Sequence, residues 1–280
     1  MGSLLALLSS ALWGSADYHG GKLSKRFPAI AVLATSQALG LVFGLTLVFS
    51  TGQWRQSAFG AGGYFIPGAC AGILGYFGLI CLYAGLATGS MGVVSPISGL
   101  GAVIPLSYAL IFKGDRISTI VTVGVVLAIT GAFFASGPEL SQRLPVKPLL
   151  LALGAACGFG MALIFMSVGS QGSALMTMTM MRATTFLVSL GIFIKFRSVG
   201  GLGKTQLPIL LFIGVSDFLA NLLLGIATTK GLLSLAMVLG SLYPIMTALL
   251  AFIFLHERLH KVQYIGIIFA VCGVAIISAF

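Results

Sequence analysis

Three charged side chains inside long apolar runs are the strongest candidates for chemistry in this sequence. Asp17 follows Trp13 by four residues, so a helix would place both on one face. Asp217 and Asn221 have the same spacing in a later run, and Arg182 lies in a third run as a candidate counter-ion for either aspartate. A charge in an apolar segment is costly and usually faces a cavity or a charged partner. For each of these residues, a substrate or proton site and a structural ion pair or helix-end position both stay open.

Tyrosines and a serine in neighbouring runs would suit the walls of the same site. Tyr76 and Tyr83 are seven residues apart and fall on one helical stripe, and Tyr243 comes directly before a proline. Ser98 faces a similar level of the fourth run. Aromatic stripes serve helix packing more often than binding. A cavity that stacks rings or holds aliphatic side chains would nevertheless need such walls, so both interpretations stay open.

Prolines interrupt the two runs that hold Ser98 and Tyr243. Pro96 and Pro105 lie in the fourth run and Pro244 in the ninth, where each removes a backbone hydrogen-bond donor. In membrane carriers, interrupted segments at corresponding places of two halves point to a binding site near the midplane. We therefore predict gating or hinge roles for these three prolines.

Two motifs of soluble enzymes also occur. His256, Glu257 and His260 satisfy H-E-x-x-H, which would make this chain an intramembrane zinc protease. A catalytic zinc needs a third protein ligand, and the remaining histidine is His19, so this alternative is disfavoured and no metal is expected. Residues 198–205 resemble a phosphate-binding loop with serine in place of its first glycine. That loop requires a soluble nucleotide-binding sheet, so ATP is not the predicted energy source.

The elements that position these residues follow from composition. Of 280 residues, 58% are hydrophobic and 7% are charged, against about 25% charged in soluble domains, so the solvent of this chain is lipid. The net charge of +10 lies in short gaps between apolar runs, which indicates lipid head groups and excludes nucleic acid as a partner. Ten runs are long enough for transmembrane helices: 3–21, 29–50, 61–87, 91–112, 117–137, 147–168, 172–194, 207–228, 232–255 and 261–280. The predicted fold is therefore an all-α integral membrane protein.

The second half of the sequence resembles the first. Trp13-Gly14 in the first run corresponds to Phe159-Gly160 in the sixth, and residues 113–116 correspond to 256–258. We therefore expect two five-helix repeats, residues 1–140 and 141–280. An odd number of spans inverts the second repeat in the membrane, and inverted repeats around a central cavity are typical of secondary transporters.

Charge in the connections predicts an orientation. The gaps after odd-numbered runs hold ten basic residues: Lys22, Lys25, Arg26, Arg143, Lys147, Lys195, Arg197, Lys204, Arg258 and Lys261. The other gaps hold four: Arg55, Lys113, Arg116 and Lys230. By the positive-inside rule, this difference places both termini outside.

Several short segments carry a family resemblance. The segment 12–15 (Leu-Trp-Gly-Ser), the segment 114–116 (Gly-Asp-Arg) and the segment 257–259 (Glu-Arg-Leu), set in ten spans, resemble the drug/metabolite transporter superfamily and its EamA-type members. Within that group the chain is most similar to YddG-type exporters of aromatic and other amino acids, in the fourth run and at Ala220-Asn221. Asp115 stands where a glutamate is common in the superfamily.

This resemblance implies a bacterial inner-membrane exporter that works by alternating access without ATP or a cofactor, and that has both termini in the cytoplasm, against the charge count. The leading hypothesis is export of neutral, especially aromatic, amino acids and related metabolites, with lipophilic quaternary cations as the alternative substrate class. The candidate substrate-binding residues are Trp13, Asp17, Tyr76, Tyr83, Ser98, Asp217, Asn221 and Tyr243.

Overall fold

The computed structural model of the chain describes residues 1–88, 94, 97–135, 146–196, 201–255 and 261–279. All regular structure in these ranges is helical, as predicted. The helices are α1 (Gly2–Ser24), α2 (Ala29–Thr51), α3 (Phe65–Thr88), α4 (Val103–Phe112), α5 (Thr119–Ala135), α6 (Val146–Phe196), α7 (Leu207–Thr228), α8 (Leu233–Gly240), α9 (Tyr243–Leu255) and α10 (Lys261–Ala279). Short 3-10 turns lie at Gln53–Arg55, Leu100–Ala102 and Lys204–Gln206.

Many of these helices have the length and composition of membrane spans. Five described segments are long and apolar enough to cross a bilayer: Ala29–Thr51, Phe65–Ala87, Val146–Gly191, Lys204–Thr228 and Leu233–Phe254. Three shorter apolar helices accompany them: Ile97–Phe112, Thr119–Phe134 and Lys261–Ile277. The chain is therefore a multi-pass membrane protein, while the number of ten spans stays a prediction.

The sixth and seventh predicted spans meet without a loop. Helix α6 contains one residue with extended backbone, Ser173 (φ −158°, ψ 112°), which is the second residue of the predicted run 172–194. Gly169 lies close to Thr177, so the chain folds back at this residue into two antiparallel arms. The Ser173 hydroxyl accepts a hydrogen bond from the backbone N–H of Met176 at 3.2 Å and donates one to Gln53 at 3.0 Å, which caps the second arm.

The fourth and ninth predicted spans are each interrupted near their middle by a short stretch of 3-10 or turn backbone, and we call them the broken spans. The 3-10 turn Leu100–Ala102 precedes α4, and residues 241–242 separate α8 from α9. Pro105 is the third residue of α4 and Pro244 the second of α9. Proline is tolerated there because the first-turn N–H groups have no intrahelical partner. Pro96 lies outside the described residues, and the predicted gating roles stay predictions.

The helices pack through close approaches at small residues. Helix α3 lies along α6, α1 lies along α7 and also contacts α8 and α9, and α5 pairs with α10. A Cβ atom added to Gly14 would lie 2.5 Å from Met246 Cβ in α9, and one added to Gly160 would lie 2.6 Å from Ile104 Cδ1 in α4. Helix α1 therefore contacts the ninth span at the position where the first arm of α6 contacts the fourth.

Candidate functional site

A cavity lies between α1, α3, α6, α7 and the two broken spans. The atom-free space between its walls measures about 740 Å³, including its open end. Its lining residues are Trp13, Asp17, Ala71, Gly72, Gly75, Tyr76, Leu79, Ser98, Gly99, Ala102, Phe159, Ala162, Leu163, Met166, Met181, Arg182, Thr185, Asp217, Asn221, Ser241 and Tyr243.

The structure brings most of the predicted site residues into this one cavity. The predicted residues that line it are Trp13, Asp17, Tyr76, Ser98, Asp217, Asn221 and Tyr243. Tyr83 does not line it, because its side chain is buried against α1 and its hydroxyl lies 3.5 Å from the carbonyl oxygen of Ala16. Pro105 and Pro244 also lie outside the lining, and Pro244 packs beside Gly99 at the cavity wall.

The Asp217 carboxylate is surrounded by hydrogen-bond donors. Its Oδ1 accepts from Trp13 Nε1 at 3.1 Å and from Asn221 Nδ2 at 3.1 Å. Its Oδ2 accepts from Gln37 Nε2 at 2.8 Å and pairs with Arg182 Nη2 at 2.9 Å. Four donors from α1, α2, α6 and α7 therefore converge on one buried carboxylate. This geometry favours the structural ion-pair interpretation for Asp217.

Asp17 has a different environment, although it lines the same cavity. Its side chain is buried, and among the described residues its carboxylate has neither a hydrogen bond nor an ion pair. Arg182 is paired with Asp217 and not with Asp17. The charged residues of the lining are thus two carboxylates and one guanidinium, so the cavity has an excess of one negative charge when all three are ionised.

Aromatic rings form much of the remaining wall. Trp13 and Tyr243 meet edge to face, with ring centroids 6.3 Å apart. The Tyr243 hydroxyl is 2.9 Å from the Ser98 hydroxyl, which connects the ninth span with the fourth. Tyr76 directs its hydroxyl to Ser189 at 2.6 Å. Since Ser189 is not a lining residue, Tyr76 contributes its ring to the cavity.

The sequence did not predict every important residue. Gln37 holds Asp217 from α2, and its position as an amide inside an apolar run was the signal that could have revealed it. Phe159 was identified as the counterpart of Trp13 without a binding role, and both line the cavity. Met166 and Met181 also line it, but buried methionines in membrane helices give no sequence signal that separates a wall from a core.

The two enzyme-like motifs lie away from the cavity lining or outside the described residues. His256, Glu257 and His260 belong to the latter. Within the described ranges, no three residues of the types His, Cys, Asp and Glu lie close enough together to hold a metal. In the loop-like segment, the Gly203 backbone N–H donates to Gln206 Oε1 at 2.9 Å, which is a local turn contact.

Comparisons with known proteins agree with this architecture. The model of the EamA-like transporter family matches residues 1–137 and 146–279. A protein crystal structure with 16% sequence identity aligns with 99% of this chain and 96% of its own chain at a TM-score of 0.76, so the two share a fold. No curated protein matches the sequence.

Proposed function

The chain belongs to the EamA-like transporter family, and from this membership and the cavity we propose that it is a secondary transporter of small amino-bearing metabolites, with neutral amino acids as the first substrate class. Transport proceeds by alternating access across the bacterial inner membrane without ATP. The direction is export, in line with the resemblance to YddG-type exporters.

The observation that carries the proposal is the Asp17 carboxylate, which has no hydrogen-bond or ion-pair partner among the described residues. A buried carboxylate without a cation is costly in a low-dielectric site. The ammonium group of a substrate lowers that cost by pairing with Asp17. A substrate without an amine leaves the carboxylate unpaired, so this residue selects for amines.

Arg182 supplies a partner for the other end of an amino acid. Among the described residues, the guanidinium finds its hydrogen-bond and ion-pair partners through Nη2, and both partner atoms belong to Asp217. The guanidinium has five N–H donors in a planar fork that suits carboxylates. It lines the same cavity as Asp17. A zwitterionic amino acid could therefore pair its ammonium group with Asp17 and its carboxylate with Arg182.

The walls fit an apolar or aromatic substrate side chain. Trp13, Tyr76, Phe159 and Tyr243 present rings to the cavity. Rings prefer edge-to-face or offset contacts, such as Trp13 already makes with Tyr243. Phenylalanine and tryptophan would add a further ring to this arrangement, which places them first among neutral amino acids.

Two inverted repeats, residues 1–140 and 141–280, account for an inward-open and an outward-open state of the transporter. The reciprocal contacts support this division, since Gly14 approaches Met246 and Gly160 approaches Ile104. The first helix of each half therefore packs against a broken span of the other half. Rocking of one half against the other opens the cavity to each side in turn.

Counterflow of labelled phenylalanine into liposomes that contain the purified protein tests the function. Saturable flux without ATP, with empty liposomes as the blank, is the expected result. A pH gradient and a membrane potential are imposed separately to identify coupling. Absence of flux for every neutral amino acid would overturn the amino-acid proposal.

The cavity lining holds two carboxyl groups and one guanidinium, and the additional carboxyl group favours one second candidate. A lipophilic quaternary cation would neutralise Asp17 and stack on the same rings by cation–π contact. Competition between phenylalanine and tetraphenylphosphonium separates the two substrate classes. Transport of the cation, with phenylalanine as neither substrate nor competitor, would assign the site to organic cations.

A further inference from the structure

Three glycines on one stripe of α3 are required by close helix packing. Gly68, Gly72 and Gly78 follow one another at helical spacing with Gly75 among them. A Cβ atom added to Gly68, Gly72 or Gly78 would lie 2.8, 2.8 and 2.6 Å, respectively, from the nearest atom of α6. These distances leave no room for a side chain, so the two arms of α6 account for glycine at these three positions.

Gly75 lies on the same stripe but has no such neighbour. Among the described residues, leaving aside its two chain neighbours and the backbone of α3, the one atom within 4 Å of its added Cβ is Ala162 Cβ at 3.5 Å, an ordinary van der Waals contact. Ile73 and Phe77, two positions away on either side, are exposed on the outer face of the helix, so Gly75 is directed inward. Gly75 and Ala162 both line the cavity. The space beside Gly75 therefore belongs to the cavity.

Close packing does not account for a glycine at position 75. Glycine is the least favourable residue in a helix interior after proline, and the surrounding protein would accommodate a methyl group here. That methyl group would instead take volume from the cavity. We propose that Gly75, together with Ala162 opposite it, leaves room for a bulky apolar side chain of the substrate, and that this pair determines which side-chain sizes are transported.

The charged groups of the cavity support this role, and here the inference rests on the proposed function. An amino acid that pairs its ammonium with Asp17 and its carboxylate with Arg182 has its Cα held between these two residues. Its side chain must then occupy the apolar remainder of the cavity. At Gly75 and Ala162 the wall carries no group larger than a methyl. A phenylalanine or tryptophan ring therefore fits against this part of the wall.

Selectivity between substrates of different size tests the proposal. Counterflow of tryptophan and of alanine is measured for the parent, Gly75→Ala and Gly75→Leu, and the two transport efficiencies are expressed as a ratio. Gly75→Ala should lower the tryptophan-to-alanine ratio at least about tenfold, because one methylene in an apolar pocket changes discrimination by about 10- to 200-fold. Gly75→Leu should lower it further. An unchanged ratio in both variants would overturn the proposal.

Gly68→Ala is the matched control on the same helix. Gly68 is buried and lies outside the cavity lining, and its added Cβ would overlap with Met180. The melting temperature of this variant should fall while the tryptophan-to-alanine ratio stays that of the parent. Gly75→Ala should do the reverse, with an unchanged or higher melting temperature, since alanine favours the helix. The same change of ratio in both variants would assign the effect to a general disturbance of α3 and contradict the proposal.

A compensating substitution tests whether Ala162 shares the subsite. Ala162→Gly removes the methyl group that the new side chain of Gly75→Ala would face at 3.5 Å. In the double variant, the tryptophan-to-alanine ratio should therefore recover part of its loss. A double variant with the ratio of Gly75→Ala would exclude Ala162 from the subsite.

Cysteine labelling tests the position of Gly75 without any substrate. The four native cysteines (Cys70, Cys81, Cys157 and Cys272) are first replaced by alanine. Gly75→Cys should then react with 2-aminoethyl methanethiosulfonate at least about tenfold faster than Gly68→Cys, because an accessible thiol reacts and a packed one is inert. Equal rates would overturn the proposal.

This labelling also separates failure of the inference from failure of the proposed function. If the labelling contrast holds but the parent transports no amino acid, the amino-acid function fails and the size comparison is made with tetraphenylphosphonium against tetramethylammonium. Gly75→Ala should then lower the ratio for the larger cation in the same way. An unchanged cation ratio would show that Gly75 lines the cavity without selecting for size, which overturns the inference.

Discussion

Asp115 and Ser234, which lie in different halves of the chain, form a two-point contact. One carboxylate oxygen of Asp115 accepts the backbone N–H of Ser234 at 2.9 Å and the Ser234 hydroxyl at 2.8 Å. Ser234 is the second residue of α8 and is fully buried. A carboxylate at this position satisfies a free N–H group and interacts favourably with the helix dipole. Helix α8 ends at the cavity, directly before Ser241, so the contact anchors a cavity wall.

Removal of this contact should destabilise the protein. We expect Asp115→Ala to lower the free energy of unfolding by about 0.5–2 kcal/mol, the usual range for loss of a helix cap. Thermal unfolding in detergent measures the effect. Ser234→Ala removes one of the two bonds, and the double variant should lose less than the sum of the single variants. Additive losses would show that the two residues act independently.

Loss of the charge at Asp17 should reduce transport, whereas loss of the charge at Asp217 should reduce stability. Asp17 has no partner to lose among the described residues, so Asn at this position should leave the melting temperature within about 3 °C of the parent, a change of less than about 1 kcal/mol. Counterflow of phenylalanine should fall at least about tenfold, since a lost charged contact costs at least about 1.4 kcal/mol. Any response of flux to pH that Asp17 causes should also disappear. A variant with normal flux would exclude Asp17 from substrate binding.

Asp217→Ala should act mainly on folding. It leaves the Arg182 guanidinium buried without a counter-charge and frees the donors of Gln37 and Trp13. Breaking a buried ion pair on one side costs about 3–5 kcal/mol, which should appear as poor expression and early thermal unfolding. Asp217→Asn, which keeps an acceptor, should be less severe. A stable Asp217→Ala protein that had lost only transport would instead make this carboxylate a direct substrate contact.

The spacing of polar residues in the sequence predicted much of the site, because in a helix residues four apart share a face. Trp13 with Asp17 and Asp217 with Asn221 follow this rule, and all four line the cavity. Tyr83 shows the limit of the rule. It lies two turns beyond Tyr76 on the same stripe, and α1 approaches closely there at Gly20 and covers it. Periodicity identifies a face, whereas the neighbour that covers each turn is fixed by tertiary packing.

The positions of the helices were predictable from hydropathy, whereas the interruptions within helices were less predictable. Apolar runs gave the helices to within a few residues over most of the chain. Ser173 could not be predicted as the single break in α6, because one of its two side-chain hydrogen bonds is to Gln53, which is far away in the sequence. Likewise, the three neutral hydrogen-bond donors and the guanidinium that contact Asp217 come from four helices, and sequence alone does not specify their convergence.

Gly14 should tolerate no side chain. A Cβ there would lie 2.5 Å from both Met246 Cβ and the Tyr243 carbonyl oxygen, so even Gly14→Ala would force α1 away from α9. We expect a loss of about 1–3 kcal/mol, as for other overpacked sites, together with reduced flux because Trp13 moves with α1. Gly191→Ala is the control, since no atom lies within 4 Å of its added Cβ. That variant should be neutral or slightly stabilised, and equal destabilisation of both would refute the steric argument.

The hydroxyl of Tyr243 should affect transport more than that of Tyr76. The Tyr243 hydroxyl bonds to Ser98 across the two broken spans, whereas Tyr76 bonds to Ser189 between unbroken parts of α3 and α6. If the broken spans move during alternating access, the first bond must break and re-form in each cycle, but the second need not. Tyr243→Phe keeps the ring beside Trp13 and removes only the hydroxyl. Its maximal counterflow rate should change severalfold with half-saturation nearly constant, and Tyr76→Phe should leave the rate unchanged. Equal effects of the two variants would mean that both bonds serve static packing, and the moving elements would then have to be sought in other helices.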